Sequence, residues 1–127
     1  MVSSEPVPEN VRRFVIQHVQ SIAQLEILLL VSSSSERWWT VKEIYKALLN
    51  NEAMVQKTLD DFTHRRLVVK SDSETYQFSS LEEDRALMRS TAEIYRDRPG
   101  KIVQLIYETP ASEIEEFARA FRIRKEP

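Results

Sequence analysis

The sequence contains no cysteine, one glycine and two histidines. Without cysteine there is no disulfide, no thiolate ligand and no cysteine nucleophile. A lone glycine, Gly100, cannot build a glycine-rich phosphate loop, and neither a Ser-Gly nucleophile elbow nor a His-Glu-x-x-His motif occurs. With His18 and His64 as the only imidazoles, a transition-metal site would have to be assembled largely from carboxylates, which suit such ions poorly. These gaps argue against an enzyme and call for no metal and no cofactor. Long hydrophobic runs are also missing: the longest, Ile27 to Val31, falls far short of the ~18 apolar residues that cross a bilayer. The start, Met1-Val2-Ser3-Ser4-Glu5, lacks the basic-then-apolar pattern of a secretory signal, so a soluble, cytoplasmic protein is expected.

What is present is a chain of 127 residues with 42% apolar content, enough to fill one core. Its net charge is −2, whereas many isolated DNA-binding domains are distinctly basic because neutralising phosphates releases counterions. The distribution of charge therefore matters more than its sum.

Residues 1–9 hold two prolines and small polar side chains and read as a disordered lead-in. Val11, Phe14, Val15, His18, Val19 and Ile22 then recur at steps of three and four, an amphipathic helical stripe. Ser21 and Gln24 have capping-box spacing and open a second helix, apolar nearly all round and so central and buried, which Ser32-Ser33-Ser34-Ser35 ends. Thr40 and Glu43 make another capping box, with Trp39 and Ile44 spaced as a hydrophobic staple and the other tryptophan, Trp38, expected to pack under the wing. The helix they start buries Val41, Ile44, Tyr45, Leu48 and Leu49 and stops at Asn50-Asn51, residues that tolerate left-handed backbone. In the next helix Val55, Leu59 and Phe62 share one side, while Ala53, Lys57, Asp60 and His64 point away, flanked by Gln56 and Asp61. Leu67–Lys70 and Thr75–Phe78 flank the turn-favouring Ser71-Asp72-Ser73-Glu74 and form a hairpin.

Ser80 and Glu83 give a third capping box before a helix through Leu87, Met88, Thr91, Ile94 and Tyr95, which Pro99-Gly100 breaks. Ile102 to Tyr107 is expected to be helical. Thr109 and Pro110 open a last amphipathic helix with Ile114, Phe117, Ala118 and Phe121 on its apolar side, followed by a basic end at Arg119, Arg122, Arg124 and Lys125.

The helix from Val41, the phased Val55-Leu59-Phe62, the closing Leu67-Val68-Val69 and the second strand ending in Phe78 together resemble the winged helix-turn-helix superfamily, most closely the MarR-type bacterial regulators. The resemblance implies a mainly α fold with a small β-hairpin: a winged helix-turn-helix core over 10–80 and a C-terminal helical extension over 81–127. It implies a regulator of transcription, bound to double-stranded DNA as a homodimer, with the Ala53–Arg66 helix in the major groove. The candidate DNA contacts are Ala53, Gln56, Lys57, Asp60, His64, Arg65 and Lys70. The candidate dimer contacts are Phe14, Val15, His18, Ile114, Phe117 and Phe121. Three features set this chain apart: Arg66 stands where glycine is frequent, Asp72 and Glu74 occupy the wing tip, and Asp60 and Asp61 lie on or beside the outward face. They keep open an alternative, a winged-helix protein-interaction module that does not bind DNA, and a ligand pocket beside the C-terminal helices is compatible with either.

Overall fold

Because α2 (Ile22–Ser33) is the most apolar segment, the other elements gather round it. The computed structural model describes residues 6–107. In chain order these form α1 (Glu9–His18), α2, α3 (Val41–Leu48), α4 (Glu52–His64), β1 (Val68–Lys70), β2 (Tyr76–Phe78), α5 (Glu82–Asp97) and α6 (Pro99–Tyr107). Leu25, Ile27, Leu28 and Val31 are fully buried, and α2 touches α3, α5 and β2. On the other side, α1 packs against α5 and α6. Among the described residues no single helix is long and apolar enough to cross a membrane.

Of the three capping boxes, that of Thr40 and Glu43 forms completely and that of Ser21 and Gln24 by half. Thr40 Oγ1 accepts from the Glu43 amide at 3.1 Å, and the Glu43 carboxylate accepts from the Thr40 amide at 2.9 Å. That backbone bond, aided by Arg37, holds the Glu43 carboxyl below its usual pKa. Ser21 caps α2 through the Gln24 amide, while Gln24 reaches past Ser21 to the Gln20 amide. A further free donor at this end, the Ile22 amide, bonds the Tyr107 hydroxyl at 2.9 Å and so ties the end of α6 to the start of α2.

The third box does not form. Ser79 is buried and its amide still pairs with the Leu67 carbonyl, so the chain leaves the hairpin one residue later than the box requires and α5 begins at Glu82. Ser79, not Ser80, supplies the local bonds: its Oγ accepts from the Leu81 amide and donates to Asp84. One smaller expectation also shifts. Ser32 and Ser33 finish α2 with their hydroxyls bonded to the carbonyls of Leu29 and Leu30. Ile102 to Tyr107 is helical as expected, with Pro99 in the first turn of α6, where its missing N–H costs nothing.

Scarcity of glycine leaves its mark on the turns. The left-handed residue after α3 is Leu49 (φ 54°), not Asn50, and it is 92% exposed instead of joining the buried face. Asn51 instead caps α4, its side chain accepting from the Met54 amide at 2.7 Å. Arg66 (φ 67°) and Glu74 (φ 60°) take the same strained geometry at the entry to β1 and at the hairpin tip. Arg66 therefore adopts the conformation that glycine adopts freely. At the tip, Ser71 Oγ gathers the amides of Ser73 and Thr75, which compensates for the strain at Glu74.

Phe14 and Val15 belong to the core of the subunit itself. Val15 is fully buried and Phe14 5% exposed, on a helix that packs against α5 and α6. They are therefore not open surface for a second copy, and Phe14→Asp would unfold the chain instead of dissociating a dimer. His18 is half-buried, with its ring edge-on to Phe14 at 5.1 Å. The other expected dimer contacts, Ile114, Phe117 and Phe121, lie outside the described residues, as does the helix expected from Thr109.

Relief of left-handed strain is directly measurable. Leu49→Gly and Arg66→Gly should each raise folding stability by roughly 0.5–1 kcal/mol in urea titration. Unchanged or lower stability in both variants would show that these turns carry no strain.

Candidate nucleic-acid interface

The α4 helix is fixed from both ends and along one side. Asn51 caps its start, and Val55, Thr58, Leu59 and Phe62 are buried toward the core, each large apolar side chain contributing roughly 1.5–3 kcal/mol. The opposite side consists of Ala53, Lys57, Asp60, Asp61 and His64, all exposed. Lys57 forms no ion pair among the described residues. This exposed strip is the one the 3.6-residue period places away from the buried face.

Gln56 behaves differently from its neighbours. It is half-buried, and its Nε2 donates to Asp60 Oδ1 at 3.1 Å and to the Tyr76 hydroxyl at 2.8 Å. The Tyr76 hydroxyl in turn lies 3.4 Å from the same Asp60 oxygen, to which it donates. Two α4 side chains are thus bound to each other and to β2. Periodicity alone did not find this network. The available signal was a tyrosine alternating with Phe78 on a strand: its ring is buried with the core, so its hydroxyl needs a partner at the rim.

Tyr76 also carries the backbone link between the hairpin and the helical core. β1 and β2 pair antiparallel with Val68 opposite Phe78 and Lys70 opposite Tyr76. On the other edge of β2, Tyr76 and Trp39 exchange two backbone bonds of 2.7 Å, which makes Trp39 a one-residue third strand. Gln77 adds a bond to the Glu36 carbonyl. The tryptophans therefore divide their roles differently from the expectation: Trp39 is buried and joined to the hairpin, while Trp38 is 42% exposed. Arg37 lies 3.7 Å above the Trp39 ring and pairs with Glu43 at 3.2 Å.

Two of the expected cationic contacts are partly engaged within the chain. Arg65 donates to the Gln17 carbonyl at the end of α1, neutralising the negative pole of that helix. Lys70, exposed on β1, has its ammonium 5.8 Å from the Tyr76 ring. Asp72 and Glu74 are exposed at the hairpin tip. A cavity of about 400 Å3 opens between α2, β2 and α5, lined by Leu29, Ser32, Phe78, Arg85 and Met88 among others. Its Arg85 already donates to the Ser79 carbonyl. Among the described residues no group of three or more His, Asp or Glu side chains can hold a metal ion.

Solved structures of other proteins share this arrangement of helices and hairpin. A MarR family protein from Mycobacterium tuberculosis superposes with a TM-score of 0.52 at 14% identity, covering 92% of this chain and 86% of its own. MepR, a transcription regulator of the multidrug efflux pump MepA of Staphylococcus aureus, gives 0.50 at 12% identity over 92% and 91%. A possible transcriptional regulator from Methanosarcina mazei gives 0.50 at 17% identity over 76% and 85%. The fold is a winged helix-turn-helix. At these identities the likeness is one of fold, shared with MarR-type regulators; no protein-family model and no curated sequence matches the chain. In this fold α3 and α4 form the helix-turn-helix and β1–β2 the wing.

His18 supplies a pH test of the packing between α1 and its neighbours. Burial, and then the nearby Arg65 guanidinium, push its pKa below the ordinary 6.5, with Asp84 pulling the other way. Its Nδ1 is buried without a hydrogen-bond partner. The neutral ring therefore favours the folded state above pH ~6.5, and this contribution is lost as pH falls through the lowered folded value. His18→Gln should flatten the loss of urea stability between pH 7.5 and 5 relative to the unsubstituted protein. Parallel pH profiles would refute that assignment.

Proposed function

We propose that this protein is a DNA-binding transcriptional regulator that acts as a homodimer, with α4 as its recognition helix. The observation that carries the reading is the exposed strip Ala53–Lys57–Asp60–His64 on a helix whose other face is buried and whose start is capped, within a winged-helix fold. A helix so supported presents about three turns of side chain to a major groove, and the wing beside it lies where the flanking backbone would run. Lys57 and Lys70 supply the phosphate contacts, one from the helix and one from the wing. Dimerisation is assigned to the amphipathic segment bearing Ile114, Phe117 and Phe121, since Phe14 and Val15 are already buried in the subunit.

A protein-interaction role is favoured by one specific observation. Asp60, Asp61, Asp72 and Glu74 are all exposed on the two elements that would approach phosphates. Salt dependence separates the two readings. A DNA binder is retained on random duplex at low salt, its affinity falls steeply as salt rises, and Lys57→Glu weakens it by about tenfold. Absence of retention at low salt by folded protein sinks the DNA reading in favour of the protein-partner one. Light scattering tests assembly separately: the unsubstituted chain should be a dimer and Phe117→Asp a monomer, whereas a monomeric unsubstituted chain removes the dimer.

A further inference from the structure

Resting on the DNA reading of α4, we infer that Gln56 is an acceptor-only base reader, held so by Asp60 and Tyr76, and that it selects an exocyclic amine, that of adenine or cytosine, on the strand it faces.

A glutamine on a recognition helix ordinarily offers both ends of its amide, two N–H donors and a carbonyl acceptor, and can grip adenine bidentately through N6 and N7. Here the amide orientation is dictated by chemistry. Asp60 Oδ1 accepts and cannot donate, so the group 3.1 Å from it must be the Gln56 NH2. The same nitrogen donates to the Tyr76 hydroxyl at 2.8 Å, which uses both of its hydrogens. Tyr76 is held in turn by its two 2.7 Å backbone bonds to Trp39, so the network does not yield easily. The Gln56 carbonyl oxygen receives no bond among the described residues. Gln56 is half-buried, and among the described residues only His18 Nδ1 and Trp39 Nε1 are buried polar side-chain atoms without a partner. Gln56 Oε1 is therefore not sealed from solvent, and its residue lies on the flank of the exposed strip.

An oxygen so presented cannot serve a phosphate, which offers only acceptors, and this excludes the commonest positioning role for an amide side chain. In the major groove it meets a donor only at adenine N6 or cytosine N4. Guanine O6 and N7 and thymine O4 are acceptors, and each would leave two oxygens facing one another. Asp60 thus has a use on a DNA-facing helix that does not require it to touch DNA: it is a positioning residue, acting through Gln56.

Selection of binding sites from a randomised duplex library tests this. The unsubstituted protein should enrich a site with adenine or cytosine preferred about five- to tenfold at one position, the worth of a single hydrogen bond. Gln56→Met should reduce the preference at that position to within about twofold while the other positions keep theirs. The double substitution Asp60→Ala with Tyr76→Phe frees the NH2 and should admit guanine and thymine at the same position; Asp60→Ala alone, a change at an exposed site, gives a partial shift if the double variant does not fold. A merely structural role for Asp60 would alter stability without moving the preference at one base. Enrichment of guanine or thymine there, or a site whose preferences ignore Gln56→Met, overturns this inference and leaves DNA binding intact. Failure to enrich any sequence overturns both.

Discussion

The backbone exchange between Trp39 and Tyr76 holds the helical core and the hairpin in one frame. Two 2.7 Å bonds turn a single residue ahead of α3 into a third strand beside β2, which would otherwise belong to an isolated two-stranded hairpin. Such hairpins are marginal in water, and three residues per strand is short even for a protein. The edge pairing is reinforced on its inner face by Val68, Phe78, Tyr76 and Trp39, all buried. Since α3 starts at the next residue but one after Trp39, this pairing also fixes that helix relative to the wing.

Tyr76 extends the same frame to α4. Its ring lies in the core, its main chain bonds Trp39 while its strand pairs with β1 on the other edge, and its hydroxyl meets Gln56 and Asp60. Leaving the hydroxyl of the buried tyrosine without a partner would cost about 1–3 kcal/mol. By satisfying it from α4, the fold fixes the angle of the helix relative to the wing and the orientation of one amide. Stability and presentation of the exposed strip thus come from the same few bonds.

Much of the architecture was legible because it rests on local rules. Capping at Ser21 and at Thr40–Glu43, the phased Val55-Leu59-Phe62 face and the hairpin around Ser71–Glu74 all depend on residues close in sequence. The third box failed for a nonlocal reason: the Ser79 amide is held by Leu67, so the helix could not start where Ser80 and Glu83 invited it. Leu49 was read as core by its period, yet the turn between α3 and α4 required a left-handed residue at that point and turned the side chain outward. The assignment of Phe14 and Val15 to a dimer fails for a similar reason. An apolar stripe announces that it will be covered, not by what, and here α5 and α6 cover it.

On its own, the sequence determined which of the described segments are helices, most of the apolar face of each, the place of the hairpin and the near absence of glycine, because these follow from side-chain type and from spacing within a turn or two. Only the tertiary structure decided that Leu49, Arg66 and Glu74 take the left-handed turns, that Trp39 and not Trp38 joins the hairpin, and that Arg65 serves the end of α1. It alone brought Gln56 and Asp60 to Tyr76, because a contact across 16 or 20 residues is set by how elements pack and leaves no period in the chain to read.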